Sequence, residues 1–249
     1  MTHAVASGLM AEGGVLVTCD TRRLPVGMMM PVIGHQQQVP RFAIQAAAGR
    51  PVLKRTWKAI VQTKIRHQAF VLNDAIGDDR GLPALADRVR SGDPQNVEAT
   101  AARRYWGALF GEQPFRRDRD ADDCNALLNY GYAVLRAIVA RSICGVGLHP
   151  SLGIHHHNRE SGYPLADDLM EPFRPLVDRI VLSMQNDPPD EWCDADSRQR
   201  MLESLTDRFV AGGESRTLFD WSSKLATNLW HCLSGEARTL IVPAFGGDG

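Results

Sequence analysis

The sequence predicts a mainly α protein, with a small α/β piece over residues 1–35 and a helical body over residues 36–249. Three observations carry that prediction. Apolar residues recur at steps of three and four through several long segments after Pro40, the period of a half-buried helix. Short strand-like runs, one of them β-branched and bounded by glycines before and Asp20 after, are confined to the first 35 residues. A chain of 249 residues with 44% hydrophobic and 23% charged side chains can bury a core, which excludes a disordered tail, a collagen-like fibre or a disulfide-stapled mini-protein.

In chain order, Thr2 to Glu12 reads as a helix stopped by Gly13-Gly14, where glycine readily takes the left-handed conformation of a helix end. Val15 to Cys19 reads as a short strand and Met28 to Ile33 as a second. One helix and two strands do not close a sheet, so this piece calls for further strands from elsewhere. Val52 to Leu72 places Leu53, Trp57, Ile60, Val61, Ile65, Ala69 and Leu72 on one stripe, with the lysines mostly off it. Leu82 to Arg90 is a short helix stopped before Gly92-Asp93-Pro94, and Asn96 to Phe110 is another. Asn125 to Ile143 is the clearest core helix, through Leu127, Leu128, Gly131, Val134, Leu135, Ile138 and Val139. Pro164 opens a helix carrying Asp168 and Glu171, continued as Leu176 to Met184 beyond two prolines. An acidic, turn-rich stretch runs from Gln185 to Asp196, and helices are expected near 197–210 and 218–234.

No stretch approaches the ~18 apolar residues of a membrane span, and no basic-then-apolar leader opens the chain. Five scattered cysteines without a C-x-x-C pair indicate a reduced, cytoplasmic protein. The net charge of −1 conceals a strong segregation. From Thr21 to Asn73 there is no acidic residue but nine basic ones: Arg22, Arg23, Arg41, Arg50, Lys54, Arg55, Lys58, Lys64 and Arg66. Such a stretch is a candidate footprint for nucleic acid or phosphate, although a solvated helix face would show the same charges.

Four of the eight histidines, His149, His155, His156 and His157, fall within nine positions. Asp168 and Glu171 follow, three apart and so on one helical face. Imidazole with carboxylate is a donor set for Mg²⁺, Mn²⁺ or Zn²⁺, whereas an exposed histidine loop and carboxylates serving a helix dipole are the plainer alternatives. H-E-x-x-H is absent, which excludes the thermolysin-type zinc motif. Glu98, in a first helical turn, reads by itself as a capping or dipole residue.

Together these segments resemble the CRISPR-associated integrases, the first-numbered Cas proteins, which are metal-dependent DNA endonucleases. The resemblance runs from Leu16 to about Pro243. Its most specific stretches are Asn125-Ala-Leu-Leu-Asn-Tyr-Gly-Tyr132, Gly147-Leu-His-Pro-Ser-Leu-Gly-Ile-His-His156 and Leu165-Ala-Asp-Asp-Leu-Met-Glu-Pro-Phe-Arg-Pro175. The helix with Trp57, Lys64-Ile65 and Gln68, and Glu98 with Tyr105-Trp106, are similar too, and the wording is closest to the type II branch. Carried over residue by residue, the resemblance implies that Glu98, His156 and Glu171 are the catalytic metal ligands. Asp168 matches a neighbouring acidic position that binds the ion directly or through water, and His155 is the rival for the histidine slot. His149 and His157 are left as structural or solvent-facing.

The resemblance implies a helical catalytic domain over 36–249 preceded by a partial, truncated β-rich dimerisation domain over 1–35, whose first strands are missing before Met1. It further implies phosphoryl transfer on DNA, in which a 3′-hydroxyl attacks a phosphodiester at a CRISPR repeat and inserts a spacer, with Mg²⁺ or Mn²⁺ as cofactor. Lys54, Arg55, Lys58, Arg66, Arg103 and Arg104 are the expected DNA-backbone contacts. The expected partners are double-stranded and branched DNA, a second copy of the chain and the small second-numbered Cas protein, with no membrane. A histidine-rich hydrolase of small phosphoesters and a non-catalytic helical DNA-binding subunit are the alternatives.

Overall fold

A computed structural model describes residues 1–19, 25–32, 35–110, 115–118, 120–156, 162–185 and 188–246. His157 lies outside the described residues. The fold is mostly helical, as the sequence predicts. Helix α1 (His3–Ala11) is capped by the Thr2 hydroxyl and leads into an antiparallel hairpin of β1 (Leu16–Cys19) and β2 (Pro25–Met29), in which Leu16 faces Met29 and Val17 faces Met28. The second strand therefore lies earlier than the expected Met28 to Ile33, because pairing with β1 fixes its register. The hairpin meets the helical body through the Cys144 and Met30 sulfurs at 3.5 Å and through Arg141, whose Nε donates to Gly13 O at 3.0 Å.

Helix α2 (Gln38–Ala46) precedes α3 (Arg50–Ile76), whose 27 residues make it the spine of the molecule. Pro51 in its first turn needs no N–H partner, and Gly77, in the left-handed conformation at φ 70°, ends it. The expected stripe faces the core: Trp57, Ile60, Val61, Ile65, Ala69 and Leu72 are buried, and Leu53 at its start is half-buried. Helices α4 (Leu82–Arg88) and α5 (Val97–Leu109) pack on α3. The second core helix, α6 (Cys124–Gly145), is capped by Asp123 and packs against α7 (Pro164–Met170), α8 (Arg174–Ser183), α9 (Ala195–Thr206) and α10 (Leu218–Leu233). At Gly131 α6 packs tightly on its neighbours: a β-carbon there would stand 2.5 Å from Val177 Cγ1 and 3.0 Å from Met201 Sδ.

The expected helix near 197–210 ends early, at Thr206. Its last residues instead enter a hairpin of β3 (Arg208–Ala211) and β4 (Glu214–Thr217), joined by Gly212-Gly213. Both glycines have positive φ, 55° and 75°, as a two-residue hairpin turn requires. Trp221 on α10 pins this hairpin by donating its indole N–H to Phe209 O at 2.9 Å. The chain then returns along α3, where Phe245 bridges to Ala211 and gives its N–H to His67 Nε2.

Candidate active site

Three elements meet where α3, α5 and the turn after α7 come together. Glu98 comes from the first turn of α5. The capping role that its position suggests is filled by Asp93, whose two carboxylate oxygens accept the N–H groups of Val97 (2.9 Å) and Glu98 (3.0 Å). The Glu98 side chain is thereby released to face α3. Glu171 begins a single 3-10 turn (Glu171–Phe173) between α7 and α8, where Pro172 and Pro175 interrupt regular helix hydrogen bonding. Its side chain is almost wholly buried.

Lys64, on the apolar stripe of α3, stands between the two glutamates. Its ammonium lies 2.5 Å from Glu98 Oε1 and 2.5 Å from Glu171 Oε2, so both carboxylates share one nitrogen as their neighbour. The contact with Glu98 has hydrogen-bond geometry. The contact with Glu171 Oε2 is an equally close and more deeply buried ion pair. Glu171 Oε1 accepts from Arg174 at 2.6 Å. Burial works against ionising Glu171, but Arg174 and Lys64 outweigh it and hold its carboxyl well below the usual range. Burial likewise opposes the Lys64 charge, and Glu171 and Glu98 together more than restore it.

The histidine loop is braced from three sides. Gln45 of α2 accepts from His149 N at 2.8 Å and donates to the carbonyls of His149 and Leu152. Trp57 of α3 stacks flat on the His155 ring, 4.2 Å between centroids, and meets His156 edge-on at 5.5 Å. Asp168 of α7, fully buried, gathers the backbone N–H groups of Ile154 (2.5 Å), His155 (3.0 Å) and His156 (3.1 Å), and its Oδ1 is 2.7 Å from His156 Nδ1. Gly153 permits this closure, since a β-carbon there would stand 2.6 Å from His156 O and 3.1 Å from Asp168 Oδ2. The hydrogen bond that the ring makes to Asp168 raises the His156 pKa against partial burial, helped by the charges of Asp168, Glu171 and Glu98.

Of the expected ligands, the structure thus brings Glu98 and Glu171 together around Lys64, and sets His156 near enough to feel both their charges. Among the described residues no three His, Cys, Asp or Glu side chains converge into a ready-made ion cage. Lys64 occupies the space between the two carboxylates. The residues fit a hard divalent cation by donor chemistry, two carboxylates and an imidazole.

Behind Glu171 lies a second buried group. The Arg174 guanidinium sits 4.4 Å from the centroid of the Tyr132 ring. The Tyr132 and Tyr105 hydroxyls donate to the two oxygens of Asp178, the latter at 2.9 Å. Burial pushes Asp178 up to about 6, against both hydroxyls and the charges of Arg174 and Arg117.

The expected DNA contacts divide by face. At about 100° per residue, Lys54 and Lys58 lie within about a third of a turn of Lys64, whereas Arg55 and Arg66 lie nearly opposite it. Lys54, Arg55 and Arg66 are exposed and Lys58 is half-buried; Arg66 pairs with Asp87 at 2.8 Å. Arg103 and Arg104 are exposed on α5, about a third of a turn or more from Glu98. The sequence reading missed the roles of Lys64 and Arg174. The signal for Lys64 was present: a lysine between Val61 and Ile65 on an apolar stripe must find a buried counter-charge.

Residues 1–191 match the family profile described as CRISPR associated protein Cas1. The CRISPR-associated endonuclease Cas1 of Neisseria meningitidis serogroup C (strain 8013) is 43% identical over 187 residues, covering 74% of this chain and 60% of that protein. The chain therefore spans about three fifths of that relative's length. A structure of a casposase bound to integration product shares the fold with a TM-score of 0.78 at 21% identity, over 99% of this chain and 78% of that one. A Cas6-RT-Cas1–Cas2 complex gives a TM-score of 0.78 at 20% identity, over 97% of this chain and 31% of that one. With most of its length matched by the profile and a relative 43% identical over 187 residues, this chain belongs to the CRISPR-associated Cas1 family.

Proposed function

We propose that this chain is a metal-dependent DNA endonuclease and integrase of CRISPR adaptation, inserting spacers into a repeat array by phosphoryl transfer. The observation that carries the reading is the Glu98–Lys64–Glu171 constellation, in which Lys64 and Glu171 are buried and Glu98 half-buried, beside a His156 fixed by Asp168. Its support from relatives is the endonuclease named in Neisseria and the fold shared with a casposase bound to integration product.

In this reading Glu98, Glu171 and the Nε2 of His156 hold a Mg²⁺ or Mn²⁺ ion. Bound there, the ion supplies charge neutralisation at the scissile phosphate and lowers the pKa of the attacking hydroxyl. The protein's own work is positioning. Asp168 engages Nδ1 of His156 and leaves Nε2 for the ion, so it acts on the site through His156 rather than as a ligand. Arg174 fixes Glu171 Oε1 and so aims Oε2 at the site. Lys54 and Lys58, with Arg103 and Arg104 on the neighbouring helix, neutralise DNA backbone on either flank, while Arg55 and Arg66 reach a different stretch of duplex. A second copy of the chain and the small Cas2 protein are the proposed assembly partners, in keeping with the Cas6-RT-Cas1–Cas2 complex, part of one chain of which has this fold. Among the described residues no helix is long and apolar enough to cross a membrane.

Incubation with a branched duplex and Mn²⁺ tests the reading. Cleavage or strand joining of the branch, with no turnover of a small phosphomonoester, is expected. Hydrolysis of the small ester, or retention of the DNA without any cutting, would replace this reading with one of a small-ester hydrolase or a DNA-binding subunit.

A further inference from the structure

We propose that Lys64 is a built-in counter-ion of this site: a positioning residue that keeps Glu98 and Glu171 assembled and opposes a divalent ion for the same two carboxylates. The inference rests on the metal reading above and assigns that site a residue with a sign of its own. The geometry has three parts. The Lys64 ammonium is 2.5 Å from one oxygen of each glutamate, which places a positive charge between two negative ones. The site is shielded, with the Lys64 side chain 11% exposed and that of Glu171 5%, so its charges act at short range with little screening by water. Finally, Glu171 is held from its other side, its Oε1 accepting from Arg174 at 2.6 Å, so Oε2 is the oxygen that meets Lys64.

Two consequences follow from charge balance. Without Lys64 the two carboxylates would repel one another across a buried gap, leaving Arg174 to compensate Glu171 alone. A divalent ion would then be the group that restores neutrality, and it would bind more tightly because it no longer competes with a resident cation. A lysine that merely packs against the core would have the opposite effect, since its loss would disorder the site and weaken the ion. The direction of the affinity change therefore separates the two roles.

The test compares wild type with Lys64→Gln, both as the full chain. Mn²⁺ titrated calorimetrically into Lys64→Gln is expected to bind about tenfold more tightly than into wild type. Melting in chelator should occur lower for Lys64→Gln, and added Mn²⁺ should raise its midpoint more than that of wild type. Glu171→Gln identifies the relevant site, because it should remove the titrated binding. If Lys64→Gln is unfolded in chelator, the proposal requires that Mn²⁺ restore its far-UV dichroism; failure to do so overturns it. Lys64→Arg, which keeps the charge, should melt in chelator close to wild type, and a loss equal to that of Lys64→Gln would also overturn it. Equal or weaker Mn²⁺ binding by Lys64→Gln refutes the counter-ion role while leaving the metal reading intact. Absence of Mn²⁺ binding by wild type itself would sink the metal reading and this inference with it.

Discussion

Asp168 Oδ1 lies 2.7 Å from Nδ1 of His156, and the same carboxylate collects the N–H groups of three consecutive residues ending at His156. One buried charge thus sets the ring's orientation and the backbone that carries it. Groups that fix the ring of a metal-binding histidine set its tautomer and orientation.

Replacing Asp168 with Asn puts an amide donor against backbone donors, in a pocket where a β-carbon on Gly153 would already be crowded. A loss of about 2 kcal/mol of stability is expected. DNA cleavage should fall by about 10–100-fold. Melting curves and a cleavage time course check this, and unchanged cleavage would remove Asp168 from the site's support.

Asp178 and His67 make opposite contributions to stability across mildly acid pH. Burial raises Asp178 from its ordinary 3.8 to about 6, so between these values the native state binds more protons than the unfolded chain. Its contribution therefore falls as pH rises through that window. His67, buried between Pro172 O (2.6 Å) and Phe245 N (3.0 Å), is lowered by burial from 6.5 to about 4 and binds fewer protons when native. Its contribution rises with pH over 4 to 6.5, so the two largely cancel. In Asp178→Asn, stability should climb with pH between 4 and 6, with a slope up to ~1.4 kcal/mol per pH unit more positive than in wild type. Urea denaturation at a series of pH values reads this directly; parallel profiles would mean that Asp178 is ionised throughout.

Gly131 and Gly107 are both helical glycines, but only Gly131 is crowded. Gly131→Ala drives a methyl group into Val177 and Met201 and should cost about 1–3 kcal/mol. Gly107→Ala, with nothing within 4 Å of the new carbon, should gain about 0.5–1 kcal/mol. Denaturant midpoints for the pair test whether α6 packs against α8 and α9 as described.

DNA affinity should depend on salt through particular lysines. Lys54→Ala with Lys58→Ala is expected to flatten the plot of log affinity against log salt by up to about 2 units. Arg66→Ala, on the far face of α3 and already paired with Asp87, should change that slope by less than about half a unit on a short branched duplex. Equal effects would mean that DNA wraps both faces of the helix.

The helices of the body were legible because burial imposes a period. The stripe of α3 and the paired apolar positions of α6 announce which face is inside. The β3–β4 hairpin was not read, because Arg208-Phe-Val-Ala follows the helix without a break residue; the Gly212-Gly213 turn was its only local mark. Glu98 and Glu171 are separated by a long stretch of chain, and no spacing rule joins them. Only the family resemblance paired them, and only three-dimensional packing reveals the lysine between them. Asp168 and Glu171, three positions apart, share a helical side yet serve different partners, one bracing the histidine loop and the other facing Lys64.

The most direct measurement is the effect of Glu171→Gln on Mn²⁺-dependent cutting and on binding of the same branched DNA. The amide keeps the side chain's shape and removes its charge. Cutting should fall by about a hundredfold or more, because the ion loses a ligand, while the DNA dissociation constant should change by less than about threefold, because phosphate contacts lie elsewhere. Undiminished cutting by Glu171→Gln, or binding lost in step with cutting, would contradict the assignment of this carboxylate to the metal.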